Sequence, residues 1–303
     1  MVETISFLNF LQTIGVLATL IFIVSSMLGM GFSLTVSEIL APLKNKKLVI
    51  FSLIANFILV PLLALVILFI FPLSEGLSIG ILLLGVSAGA PFLPKLVQVA
   101  KGDTAFSVGL MVLLMVGTII YVPIVLPLFL PGVTINPLDI ARSLILLMLL
   151  PLVIALFIRA RYEEVANGLL PLMTQATNLS MLSLFVAYFI VYFSALIGII
   201  GTTAILAAAV FVLVSLVIGY FLGGPSRPIK KVLALGTAQR NLSAALAIST
   251  LNFADPDVMI MIIVVALVGL ILLMFIGGEM RKRAEITAEN IQKPEKSSVE
   301  PAK

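Results

Sequence analysis

Lys95, in the run "VSAGAPFLPKLVQVAKGD", and Arg240, in "LGTAQRNLSAAL", are cations set in stretches that are otherwise apolar or small, and the charge of Arg240 is permanent. Of the 18 lysines and arginines these two fall deep inside such stretches, and none of the 14 acids does. A charge at the centre of a membrane helix costs from about 2.5 to more than 10 kcal/mol, so each must face protein, water or an anion. With no embedded carboxylate to pair with, the chemistry that suits them is anion binding. The chain has no histidine and no cysteine, which removes thiol nucleophiles, disulfides and imidazole or thiolate metal sites. No acid, base or metal constellation is left for catalysis, so neither an enzyme nor a cofactor is expected.

The elements that must position these cations follow from composition. At 303 residues, 61% hydrophobic and 11% charged, the chain is a membrane protein. Windows of about 20 apolar residues give nine spans, at 6–33, 48–71, 77–101, 105–130, 139–159, 172–197, 202–223, 230–252 and 257–277. All should be helical, because lipid offers no partner to an open backbone. The first span has Glu3 and no positive charge before it, so it reads as a retained helix and not a signal peptide. Lysines and arginines gather between spans 1 and 2, 3 and 4, after 5, around the start of 8, and after 9. The alternate loops carry Glu3, Glu75, Asp255 and Asp257. By the positive-inside rule the amino terminus lies outside and the carboxyl terminus in the cytoplasm, with the cell membrane as the expected location. The bases are scattered over helix ends, so no nucleic-acid partner is expected. Residues 1–283 read as one polytopic domain, and the polar run 284–303 as a disordered cytoplasmic tail.

Spans 1–4 and 6–9 superpose as two four-helix units of opposite orientation, related through the unpaired span 5. The third member of each is interrupted: Gly89, Pro91 and Pro94 fall mid-span in one, and Gly236, Thr237, Gln239, Arg240 and Asn241 in the other. Discontinuous helices in matching places of inverted halves point to a substrate site at the membrane midplane. Half-helix amino termini there add positive potential. Two structural readings stand beside this one. Lys95 lies six residues before Lys101 and could snorkel toward the surface; Arg240 could cap carbonyls freed at the break. In span 6, Asn178, Ser180, Tyr188 and Tyr192 are candidate cleft residues.

Taken in order, "SMLGMGFSLTVSEI", "KNKKLVIFSLIANFILVPLLALVI", "VSAGAPFLPKLVQVAKGDTAFSV" and "GTAQRNLSAALAIST" resemble the bile acid:sodium symporter family. The resemblance covers most of residues 15–280. It implies a panel and a core domain, two broken helices crossing in the core, and substrate bound between the domains, in the arrangement of the nine-helix members. The sequence departs from the pattern at the ion site. Where sodium-coupled members carry small polar ligands and a glutamate, this chain has Pro94, Lys95, and Ala234, Leu235 and Gly236, although Gln239 and Asn241 match the ligand set. An ammonium or guanidinium group within about 4–6 Å would repel a sodium ion.

The expected function is therefore secondary transport of organic anions, bile-acid-like or small carboxylates, by alternating access and without ordinary two-sodium coupling. Lys95 and Arg240 would supply the positive charge that the ions supply elsewhere. A sodium-coupled symporter with a displaced ion site and an anion channel are the alternatives. The expected partners are a small organic anion and the bilayer; nothing in the residues fixes an oligomeric state.

Overall fold

The computed structural model describes residues 2–130, 136–200 and 202–297. Uninterrupted apolar runs form long helices. The first is α1 (Val2–Ser33), followed by the short α2 (Val36–Leu40). Next, α3 (Lys46–Ile54) and α4 (Val60–Ile70) form one span joined by a π-helical turn, Ala55–Leu59. Its cause is Pro61, which has no N–H for the carbonyl of Phe57 four residues earlier and crowds it, so the helix widens. The freed Phe57 carbonyl accepts the Tyr121 hydroxyl at 2.7 Å.

The chain continues as α5 (Glu75–Val86), α6 (Leu93–Val99) and α7 (Thr104–Phe129). A second span with a π turn, Ile145–Leu149, links α8 (Pro137–Leu144) to α9 (Leu150–Arg161). After these come α10 (Glu163–Val191), α11 (Phe193–Ile199), α12 (Ala204–Leu222), α13 (Arg227–Ala238), α14 (Leu242–Asn252) and α15 (Pro256–Ser297).

Among the described residues, seven helical stretches are long and apolar enough to cross a membrane: Phe7–Ser33, Lys46–Ile70, Thr104–Phe129, Pro137–Arg161, Glu163–Val191, Ala204–Leu222 and Pro256–Ile286. The two remaining expected spans are the interrupted ones, and each folds as two short helices, α5 with α6 and α13 with α14. The expected tail differs from the structure. Residues 284–297 continue α15 as helix, and 298–303 lie outside the described residues. The run "RKRAEITAENIQK" is rich in helix formers, and Arg281 with Glu285 and Arg283 with Glu279 pair four residues apart on exposed surface.

α1 lies against α9 and α10, whereas α12 packs on α13 and α15, and α5 on α15, α4 and α7. Close approach of α12 to α13 depends on Gly219, where a Cβ would stand 2.2 Å from the Leu233 carbonyl oxygen. The second pair of split helices is deeply enclosed: Val232 to Ala238 and Ser243 to Ser249 are buried without a gap.

At the far end of α6, Lys231 Nζ donates to the carbonyls of Ala100 (2.6 Å), Met280 (3.1 Å) and Lys101 (3.4 Å). It ties α6, α13 and α15 together, and Lys101 adds an ion pair to Glu285 at 2.8 Å.

Candidate functional site

Where α5 and α13 stop, their last carbonyls have no helical partner. Both ends meet, and Arg240 lies between them. Its Nε donates to the Leu84 carbonyl at 2.9 Å and its Nη2 to that of Gly85 at 2.9 Å. Its Nη1 donates to the Thr237 carbonyl at 3.1 Å and to Asn56 Oδ1 at 2.7 Å. Four of the five guanidinium N–H groups are thus engaged, in a side chain only 6% exposed. Each helix carboxyl end carries about half a negative charge, so two of them together offset roughly one positive charge. Arg240 is held without a carboxylate by these four oxygens, three of them carbonyls of the two helix ends.

Neighbouring residues complete the crossing. Asn56, aimed inward by the π turn, donates through Nδ2 to the Ser52 carbonyl (3.0 Å) and to Thr237 Oγ1 (3.3 Å). The Asn241 backbone N–H donates to the Ser87 carbonyl (3.0 Å) and its Nδ2 to the Ala88 carbonyl (3.1 Å). Its Oδ1 caps α14 by accepting from the Ala244 N–H. Thr118 Oγ1, on α7, accepts from the Ala88 N–H and donates to the Ala88 carbonyl. The first break turns at Gly89, whose φ of +82° is left-handed and whose missing Cβ would fall 2.2 Å from the Met115 backbone nitrogen. Two oxygens at the breaks, Ser87 Oγ and Gln239 Oε1, are buried with no hydrogen-bond partner among the described residues.

A cavity of about 560 Å³ opens beside the crossing, between α1 and α10 on one wall and the split helices, α7, α12 and α15 on the other. Its lining comes from the parts of these helices nearest the basic loops, such as Ser33 on α1, Leu170 on α10 and Leu273 on α15. Phenylalanine and methionine side chains, Phe22, Phe92, Met30, Met111 and Met181 among them, make most of the wall apolar, and no described lining residue is acidic.

Of the residues singled out in the sequence, Pro91, Pro94, Lys95, Asn178, Gln239 and Arg240 line this cavity. Thr237 and Asn241 do not; both are fully buried in the crossing itself. Lys95 differs from expectation. It is exposed to the cavity, not enclosed, and makes no hydrogen bond or ion pair among the described residues. Lys95 lies on the face of α6 that borders the cavity, whereas Leu93 in the same turn is buried against Gly236 of α13. Arg240 takes the role of carbonyl cap, with its edge on the cavity.

Sequence reasoning missed Asn56, Ser26, Ser243 and Thr177. Asn56 had a usable signal, a lone amide in the run "FSLIANFILVPLLALVILF". Ser26 of α1 lies 3.5 Å from Ser243 at the start of α14, where the two walls meet, and within one wall Thr177 of α10 donates to Ser25 of α1 at 3.0 Å.

The arrangement can hold an apolar body with a negative group, but it offers no nucleophile or proton-transfer pair. Compared with known families, residues 19–221 match the Sodium Bile acid symporter family. That match ends before α13, so the break carrying Arg240 lies beyond it. No curated protein gives a significant match.

Proposed function

Because this chain belongs to the sodium bile acid symporter family, a family of membrane transporters, we propose that it carries organic anions across the cell membrane by alternating access, without sodium at the crossing. The carrying observation is Arg240, whose guanidinium bonds the carbonyls of Leu84, Gly85 and Thr237, the kind of oxygens that would hold a cation between the half-helices. A tethered cation fills that place, and its charge would repel a second one. The acid-free, largely apolar cavity suits an anion with an apolar body.

In this reading spans 1–4 and 6–9 are inverted repeats, giving nine spans in all. α1, the span made of α8 and α9, and α10 form the panel, and the remaining spans the core. The amino terminus is outside, and the cavity faces the cytoplasm. The cavity that separates α1 and α10 from the split helices marks the surface along which they would rock.

Unfolding of the purified protein, followed in sodium chloride and in potassium chloride with and without taurocholate or pyruvate, tests both halves. The anion should raise the midpoint equally in either salt. A midpoint that rises with sodium would instead favour a displaced ion site, a reading that has Ser87 Oγ and Gln239 Oε1, both unpartnered, in its support.

A further inference from the structure

We infer that the protein is an obligatory exchanger, one monoanion inward for one outward, because Lys95 forbids the empty carrier from closing. The inference rests on the organic-anion reading above.

Lys95 is the one cation that the cavity exposes without a partner among the described residues. Arg240 is already offset by the carboxyl ends of α5 and α13, so it adds little to the field there. To present the site on the other side of the membrane, the protein must close the side where Lys95 stands. Closure would bring Ser33 of α1, the adjoining Leu34, and Thr174 and Asn178 of α10 down over α6. None of these is acidic. An ammonium enclosed there would lose its water and gain only neutral partners, which membrane interiors disfavour strongly.

Escape by snorkelling is blocked twice. Lys101 lies six residues on, about 9 Å along a helix, farther than a four-carbon stem reaches. The exit is also filled: Lys231 takes up the carbonyls of Ala100, Lys101 and Met280, and the Glu285 carboxylate is already engaged by Lys101. An anion in the cavity removes the obstacle, since the ammonium and its guest can be enclosed as a neutral pair. The loaded form reorients in both directions, and the unloaded form stays open. Each cycle moves one anion each way and no net charge.

The test uses the full-length protein in liposomes with labelled taurocholate, whose sulfonate is always ionised, and in parallel with labelled pyruvate. Uptake into vesicles preloaded with the same unlabelled anion should exceed uptake into empty vesicles by about tenfold or more. It should not respond to a potassium-diffusion potential. Lys95→Gln should fill empty and preloaded vesicles at rates within about twofold of each other, and its uptake should follow the potential, because a lone anion now crosses. Lys95→Arg, which keeps the charge, should keep the preloading requirement. Equal wild-type filling of empty and preloaded vesicles overturns the exchange inference and leaves the transporter reading intact. So does a Lys95→Gln variant that still needs preloading. No uptake of either anion under any condition overturns both.

Discussion

The two breaks in the crossing solve one problem by different means. Between α5 and α6 the chain is interrupted by backbone chemistry: Gly89 turns left-handed against Met115, and Pro91 and Pro94 deny donors to the preceding turn. Between α13 and α14 the interruption is three residues long and made good by side chains, Arg240 to the carbonyls and Asn241 to the amides and to Ala88. The first break leaves its cation free in a cavity, and the second buries its cation in bonds. Position in a split helix therefore does not decide what a charge does. The number of unsatisfied carbonyls within reach does.

Four substitutions sharpen or break that contrast. Arg240→Ala should have the largest effect, since it strips four hydrogen bonds and leaves buried carbonyls and Asn56 unpaired. A loss of about 3–5 kcal/mol in unfolding free energy is expected, with Arg240→Lys intermediate because one ammonium cannot reach all four acceptors. Gly89→Ala comes next, at about 2–3 kcal/mol, from left-handed strain and the clash with Met115. Asn56→Ala, which removes the acceptor of one guanidinium N–H, should cost about 1–3 kcal/mol. Lys95→Gln should change stability by no more than about 0.5 kcal/mol while altering the mode of transport. Unfolding in detergent reads all four. If Lys95→Gln destabilised the protein as much as Arg240→Ala, the distinction between a free and a bonded cation would fail.

Seven of the nine expected spans, and the two places where a helix is interrupted, were legible because prolines, glycines and charges are visible against an apolar background. The partners of Arg240 were not. Leu84 and Gly85 contribute carbonyls, and main-chain oxygens leave no trace in residue type. Asn56 could be seen as an oddity, yet only the π turn caused by Pro61 aims it at Thr237 and Arg240. Depth along the span suggested that Lys95 was enclosed, but depth does not reveal a cavity. The helix beyond residue 283 was hidden because low hydrophobicity resembles a disordered tail even when helix propensity and charge spacing favour a helix.

A dissolved cation holds a binding site together only by mass action, so its contribution fades as its concentration falls toward the dissociation constant. A guanidinium carried on the chain has no such dependence. The junction of α5 and α13 is held as firmly in salt-free buffer as in brine, and no ionophore can empty it. In the transporter reading proposed above, such a carrier would draw no work from a cation gradient at that position, and it would stay assembled after the gradient had collapsed.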